Sequence, residues 1–374
     1  MKSLVGGKKI CLAAALLFLF APPARGSGEA RTEAEKQDKA RVGAVVLPVL
    51  FNMPETQWGG GVGGLLTYRP ADSKPDSRPS SLYFYAVYTQ LKQFATKWEP
   101  EAYFRGESFF LKGKILFERY PEKTWGLGNE APAEREEDFT PRTFVLELSF
   151  QKKLWTAGNL YAGPLYQFES YAILKTEPGG LLDSGTWPGA SGGTSSGAGF
   201  IINWDTRDNV FFPERGMYCQ VSAVLNSGLL GSGFNYASLK LDLRRYVSLL
   251  SSHVLALQAL YQAVVGEPPF KSIPKLGGDS IMRGYYSGRY RDRHLLAFQA
   301  EYRLPVWWRF GLVGFAGLGQ VAERPGRFGP EGMKCSAGFG VRFKIAPSEG
   351  TNIRLDFAWG KGTSGFYFTA GEAF

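Results

Sequence analysis

TFVLELSFQ, residues 143–151, alternates with period two: Phe144, Leu146, Leu148 and Phe150 share one face of an extended chain, and Thr143, Glu147, Ser149 and Gln151 share the other. Successive side chains of a strand point to opposite sides of its sheet, so this pattern predicts a strand between two unlike surroundings. It recurs in SLKLDLRRY (238–246), HLLAFQAEYR (294–303) and NIRLDFAW (352–359). In a soluble sandwich the apolar face would be the core and the polar face the outside. In a membrane barrel the apolar face meets acyl tails and the polar face a wet lumen, and the sheet must close so that every backbone polar group is paired.

The rest of the chain favours the barrel. Gly 47, Phe 28, Tyr 18 and Trp 9 among 374 residues, with 44% apolar and 21% charged, is the mix of aromatic strands and glycine-rich turns. Lys2, Lys8 and Lys9 precede an apolar run from Ile10 to Ala21, and Ala24-Arg25-Gly26 offers a small-x-small cleavage site, so residues 1–26 are expected to be an export signal. The run is shorter than the ~20 apolar residues of a spanning helix, and no later stretch reaches that length. Loss of Lys2, Lys8, Lys9 and Arg25 lowers the formal charge from +9 to +5, too mild a balance to argue for nucleic acid. Residues 27–41, charged and nearly free of large apolar side chains, read as a periplasmic tether, and 42–374 as one domain of uniform texture. Cys219 and Cys335 each alternate with apolar neighbours and are expected to be separate, lipid-facing residues.

Counting back from Phe374, strands are predicted at 365–374, 351–360, 333–345, 309–321, 294–303, 253–266, 234–246, 216–226, 197–205, 160–173, 142–154 and 108–119, with about four more in 42–106. The fold class is therefore all-β: an antiparallel transmembrane barrel of about sixteen strands, an even number that leaves both ends in the periplasm. Segments 120–141, 175–196, 267–293 and 322–332 then lie outside, and turns 248–252 and 346–350 inside.

One of the outer segments contains GGDSIMRGYYSGRYRDR (277–293), with four arginines and two aspartates. Followed by a strand carrying Glu301-Tyr302-Arg303-Leu304-Pro305, it resembles the bacterial surface antigen barrel of the superfamily that includes the outer-membrane assembly factors BamA and TamA. DTRDNVFFPERG (205–216) and the terminal Phe374 agree with that family's motif order, and the resemblance is tightest over about residues 200–374. It implies that 267–293 folds back into the lumen, with Arg283 at the tip of the family's (Ile/Val)-Arg-Gly-(Phe/Tyr) motif and Gly284 and Tyr285 beside it. A guanidinium is always charged and offers five donors in one plane, so it suits bidentate anchoring to a wall carboxylate. Glu301 and Asp356 are the expected partners. The family's Phe-x-Asp-x-Gly reads Phe315-Ala316-Gly317-Leu318-Gly319 here; the aspartate is replaced by Gly317, which predicts a looser anchor or one that rests on Glu301.

A further expectation concerns the seam between first and last strands. Gly59, Gly60, Gly61, Gly63 and Gly64, placed in a first strand opposite a last strand ending at Phe374, would weaken pairing there, because glycine adds no cross-strand contact. Lumen-facing Lys240, Arg244, Arg303, Arg342, Lys344 and Arg354 alternate with Asp242, Glu301 and Asp356 and are expected to pair.

Two motifs point elsewhere and fail on context. Gly59, Gly61 and Gly64 spell GxGxxG but run on into a strand instead of a helix. Gly189-Ala190-Ser191-Gly192-Gly193 matches the hydrolase elbow without its strand-turn-helix setting, and only His253 and His294 could act as base. No metal or cofactor motif is present, and no enzyme activity is expected. BamA-like relatives carry POTRA domains before the barrel, whereas here only residues 27–41 separate the expected cleavage site from it, so the chain resembles the POTRA-less members; the resemblance implies a barrel in a Gram-negative outer membrane that helps insert or translocate outer-membrane proteins or lipids. Its implied partners are outer-membrane lipid, nascent outer-membrane proteins and a periplasmic partner protein; the competing reading is a passive or gated pore.

Overall fold

The structure, a computed structural model, describes residues 41–53, 57–70, 77–155, 158–346 and 351–374. The expected signal (1–26) and all but the last residue of the tether (27–41) lie outside the described residues. Sixteen long strands follow one another: β1 (Arg41–Met53), β2 (Gln57–Arg69), β3 (Ser80–Thr89), β4 (Phe94–Phe104), β5 (Phe109–Arg119), β6 (Glu137–Trp155), β7 (Leu160–Lys175) and β8 (Gly192–Asp205). The second half comprises β9 (Gly216–Asn226), β10 (Tyr236–Leu249), β11 (His253–Gly266), β12 (His294–Trp307), β13 (Phe310–Ala322), β14 (Lys334–Ala346), β15 (Thr351–Gly360) and β16 (Thr363–Ala370). Antiparallel ladders join each strand to the next from β1 to β16. No ladder between β1 and β16 is described. Among the described residues no helix is long and apolar enough to cross a membrane.

The alternation read from the sequence is realised side by side. On β6, Phe144, Leu148 and Phe150 are exposed on the outer wall, while Thr143, Ser149 and Gln151 are buried within. On β10, Leu239 and Leu243 face out and Asp242 faces in. Inner charges pair across neighbouring strands, as in Lys112–Glu101 at 2.5 Å and Lys114–Glu147 at 3.1 Å. Trp307 and Trp308 stand exposed at the β12–β13 turn, where an aromatic belt marks the water interface. Cys219 and Cys335 are free thiols on outward positions.

Two expectations about the seam are corrected. The glycine run 59–64 lies in β2, not in a first strand: Gly61 pairs with Val49 of β1 on one side and Val87 of β3 on the other. Gly61 and Gly64 serve close approach there, since a Cβ at Gly61 would stand 2.0 Å from the Ala86 carbonyl oxygen and one at Gly64 2.5 Å from that of Val45. Phe374 is not part of the last strand either. The ladder ends at Ala370, and Gly371, at φ +83°, turns the final residues inward. Phe374 packs inside against Tyr246 and Ala256.

Because Phe200 stands 58% exposed in the middle of β8, Phe200→Arg is expected to lower stability by about 2–4 kcal/mol in bilayers. Lys240→Gln on the lumen side, a solvated charge, should change it by less than about 1 kcal/mol. Urea titration of barrels refolded into vesicles measures both.

Candidate functional site

The connection 267–293, between β11 and β12, does not stand out in solvent. Lys275–Leu276 pairs with Tyr290–Arg291 as a small hairpin, and the segment between them dips into the barrel. Leu276, Met282, Tyr285 and Tyr290 pack with wall residues Leu260, Leu295, Ala297 and Val321 into one buried cluster. The tip is sharply bent: Met282 has φ +51° and Gly284 φ +104°. The Gly284 backbone rests on the wall so closely that a Cβ would lie 2.7 Å from the Trp359 carbonyl carbon and 2.9 Å from the Gly360 nitrogen. Wall side chains hold the tip's backbone. Met282 N–H donates to Gln299 Oε1 at 3.0 Å, and Gly284 N–H donates to the Tyr367 hydroxyl at 2.9 Å. The Tyr285 hydroxyl donates to the Cys335 carbonyl at 3.0 Å and accepts from Lys361 N–H at 2.9 Å.

Arg283, 1% exposed, reaches two carboxylates on different strands. Its Nη1 donates to Asp356 Oδ2 on β15 at 2.6 Å, and its Nη2 to Glu301 Oε1 on β12. Its guanidinium carbon lies 3.5 Å from the centre of the Phe315 ring on β13. The expectation of a looser or single anchor is thereby corrected: Asp356 supplies the second carboxylate and Phe315 a cation–π face. The glycines of β13 have their own use, because they make room for the loop. A Cβ at Gly317 would lie 3.0 Å from Met282 Sδ, and one at Gly319 would lie 2.8 Å from Leu276 Cδ1.

Both carboxylates are shared. Arg303 Nε donates to Glu301 Oε2 at 3.2 Å, while Arg342 Nη1 and Arg354 Nη1 donate to Asp356 at 2.5 Å and 3.3 Å. Arg354 also donates to the Asp279 carbonyl at 2.9 Å, tying β15 to the start of the tip. Glu372, which the sequence reading missed, closes the set: it accepts from Arg342 Nε at 2.9 Å and Asn352 Nδ2 at 2.6 Å, and lies 3.8 Å from Arg303 Nε. Arg303 Nη2 donates to the Phe374 carbonyl at 3.1 Å. Strand parity would have aimed Glu372 at lipid with Phe366 and Phe368; Gly371 was the available signal that the strand stops first. The loop tip, strands β12, β14 and β15, and the chain end thus share one buried network. Such networks are costly to desolvate and fail sharply when one partner goes.

Outer segments cover the loop from above. Gly128 N–H donates to the Arg291 carbonyl at 2.8 Å and Arg289 Nη2 to the Ala131 carbonyl at 2.9 Å. Glu122 accepts from Lys271 at 2.6 Å and from Lys275 at 3.1 Å. Burial alone would raise the Glu122 carboxyl, but the two ammonium groups hold it well below the usual carboxylate range. Phe139, Leu182, Ala190 and Phe270 form a second cluster at this end, backed by Trp187. At the opposite end of the barrel, Asp205 of the 205–216 turn binds Arg78 at 2.9 Å and Arg207 at 2.8 Å, and Asp208 Oδ1 accepts from the Glu214 and Arg215 N–H groups.

The set-aside motifs stay separate. Gly59–Gly64 lies within β2, and the side-chain partners of His253 and His294 are the hydroxyls of Tyr302 and Tyr261, not Ser191. Among the described residues no cluster of His, Cys, Asp and Glu could hold a metal ion.

Residues 92–374 match the model of the Omp85 superfamily domain. Among solved structures, BamA from Haemophilus ducreyi lacking POTRA domains 1–3 is similar over 89% of this chain and 69% of its own, at TM-score 0.54 and 14% identity. CdiB from Acinetobacter baumannii is similar over 89% of this chain and 59% of its own, at TM-score 0.54 and 11% identity. No curated protein sequence matches the chain.

Two substitutions probe the site. Asp356→Asn leaves Arg283, Arg342 and Arg354 short of a buried counter-charge and is expected to cost about 3–5 kcal/mol, read as a lower temperature for loss of the compact band in detergent gels. Gly284→Ala should unseat the tip without touching a charge, exposing Arg289 and Arg291 to trypsin while the barrel stays folded.

Proposed function

The chain belongs to the Omp85 superfamily, and from that membership we propose that it is an outer-membrane barrel that helps insert or translocate outer-membrane polypeptides or lipids. The observation that carries the reading is the anchoring of Arg283 by Glu301 and Asp356 inside the lumen, in a network that continues through Arg303 and Arg342 to Glu372 at the end of β16. A loop tethered in this way steadies the lumen. Because the same charges grip the chain end, the seat of the loop and the position of the last strand are coupled. In this reading the working seam lies between β1 and β16, and opening it gives a client strand an edge to pair with. Insertion or transport, not bond-making catalysis, is the general business of barrels of this family.

The competing pore reading requires an open water path. The buried cluster around Met282 and the cover formed by segments 120–136 and 176–191 both count against steady conductance. A periplasmic partner that presents clients is compatible with the first reading and is part of the proposal.

A disulfide engineered between β1 and β16 is expected to abolish the support of barrel assembly while leaving heat-modifiable mobility intact, and depletion should lower the levels of other outer-membrane barrels. Unchanged levels, together with large steady openings in planar bilayers, would overturn the reading in favour of a pore.

A further inference from the structure

The outer wall from β9 to β13 carries an apolar groove of about 590 Å³. Its floor is made of small side chains in a surface otherwise built from leucine and phenylalanine. Ala259 of β11 lies between Leu243 and Phe298 on the neighbouring strands, and Ala300 of β12 lies between Leu257 and Ala316. The result is a furrow running across the strands, with Leu257 and Phe298 standing beside it.

One end of the furrow is charged. Arg245, opposite both Met217 and Leu257, lines the groove and is exposed, four residues before the periplasmic end of β10 at Leu249. No carboxylate of the described residues forms an ion pair with it. A cation on a membrane-facing wall is costly unless it meets a counter-charge, and the cost falls toward the interface. A phosphodiester supplies that charge in the geometry a guanidinium accepts with two parallel hydrogen bonds.

We propose that this groove is a binding site for a glycerophospholipid of the periplasmic leaflet, its phosphate on Arg245 and one acyl chain laid over Ala259, Ala300 and Ala316. The site faces the bilayer on a part of the wall remote in the strand order from β1 and β16. It therefore stands whether or not the barrel inserts clients.

Native mass spectrometry of the full chain in mild detergent, titrated with palmitoyl-oleoyl phosphatidylglycerol, tests it. One retained lipid is expected on the wild type, with about tenfold weaker retention for Arg245→Gln, the change lost with one charge-assisted contact. Ala300→Phe should weaken retention equally by filling the furrow without altering charge; Ala316→Leu serves if that variant loses heat-modifiable mobility. Inorganic phosphate should not displace the lipid. Retention unchanged in Arg245→Gln or in the folded furrow-filling variant, or lipid displaced by inorganic phosphate, would sink the proposal.

Discussion

The interior of this barrel is organised around a guanidinium shut away from bulk water. Once the loop carries Arg283 below the rim, its charge cannot be shed, and removal from water costs several kcal/mol unless counter-charges are fixed nearby. Glu301 and Asp356 answer it from β12 and β15, with Phe315 against its face. Each carboxylate then serves other arginines as well, so that no pair is independent. Burial therefore makes the arrangement specific more than it makes it strong: misplacing any member strands the rest.

That constraint explains features that otherwise look unrelated. Glycines at 317 and 319 widen the wall where Met282 and Leu276 press, and Gly284 allows the tip to lie directly on β15. Gly371 ends β16 early, and the turned-in tail adds Glu372 and the Phe374 carbonyl to the arginines of β12 and β14. The loop tip and the chain end in this way draw on one set of arginines and carboxylates.

Much of the fold was legible because a barrel wall separates oil from water on every strand. The alternation in 143–151, 238–246, 294–303 and 352–359 located strands whose outer and inner faces are as expected, and the count of sixteen followed from strand length and turns. Arg283 was singled out by the motif that resembles the surface antigen barrel, Glu301 by that resemblance and by its place on a polar strand face, and Asp356 because it lies on a lumen-facing position. The glycine run was misplaced by one strand, since periodicity is weak where side chains are absent. Glu372 was invisible for a different reason: parity predicts direction only while the strand continues, and one left-handed glycine reverses it.

By itself the sequence determined the class of the fold and which faces are wet, because those depend on local alternation and on the demand that backbone polar groups be paired in lipid. Tertiary structure alone decided that Arg283 meets both carboxylates at once, how the missing aspartate at 317 is compensated, and that the chain end joins the lumen network. These are contacts among residues as much as 73 positions apart, as between Arg283 and Asp356. They are fixed by how the sheet curves and where a loop returns, and no local pattern of side chains encodes either.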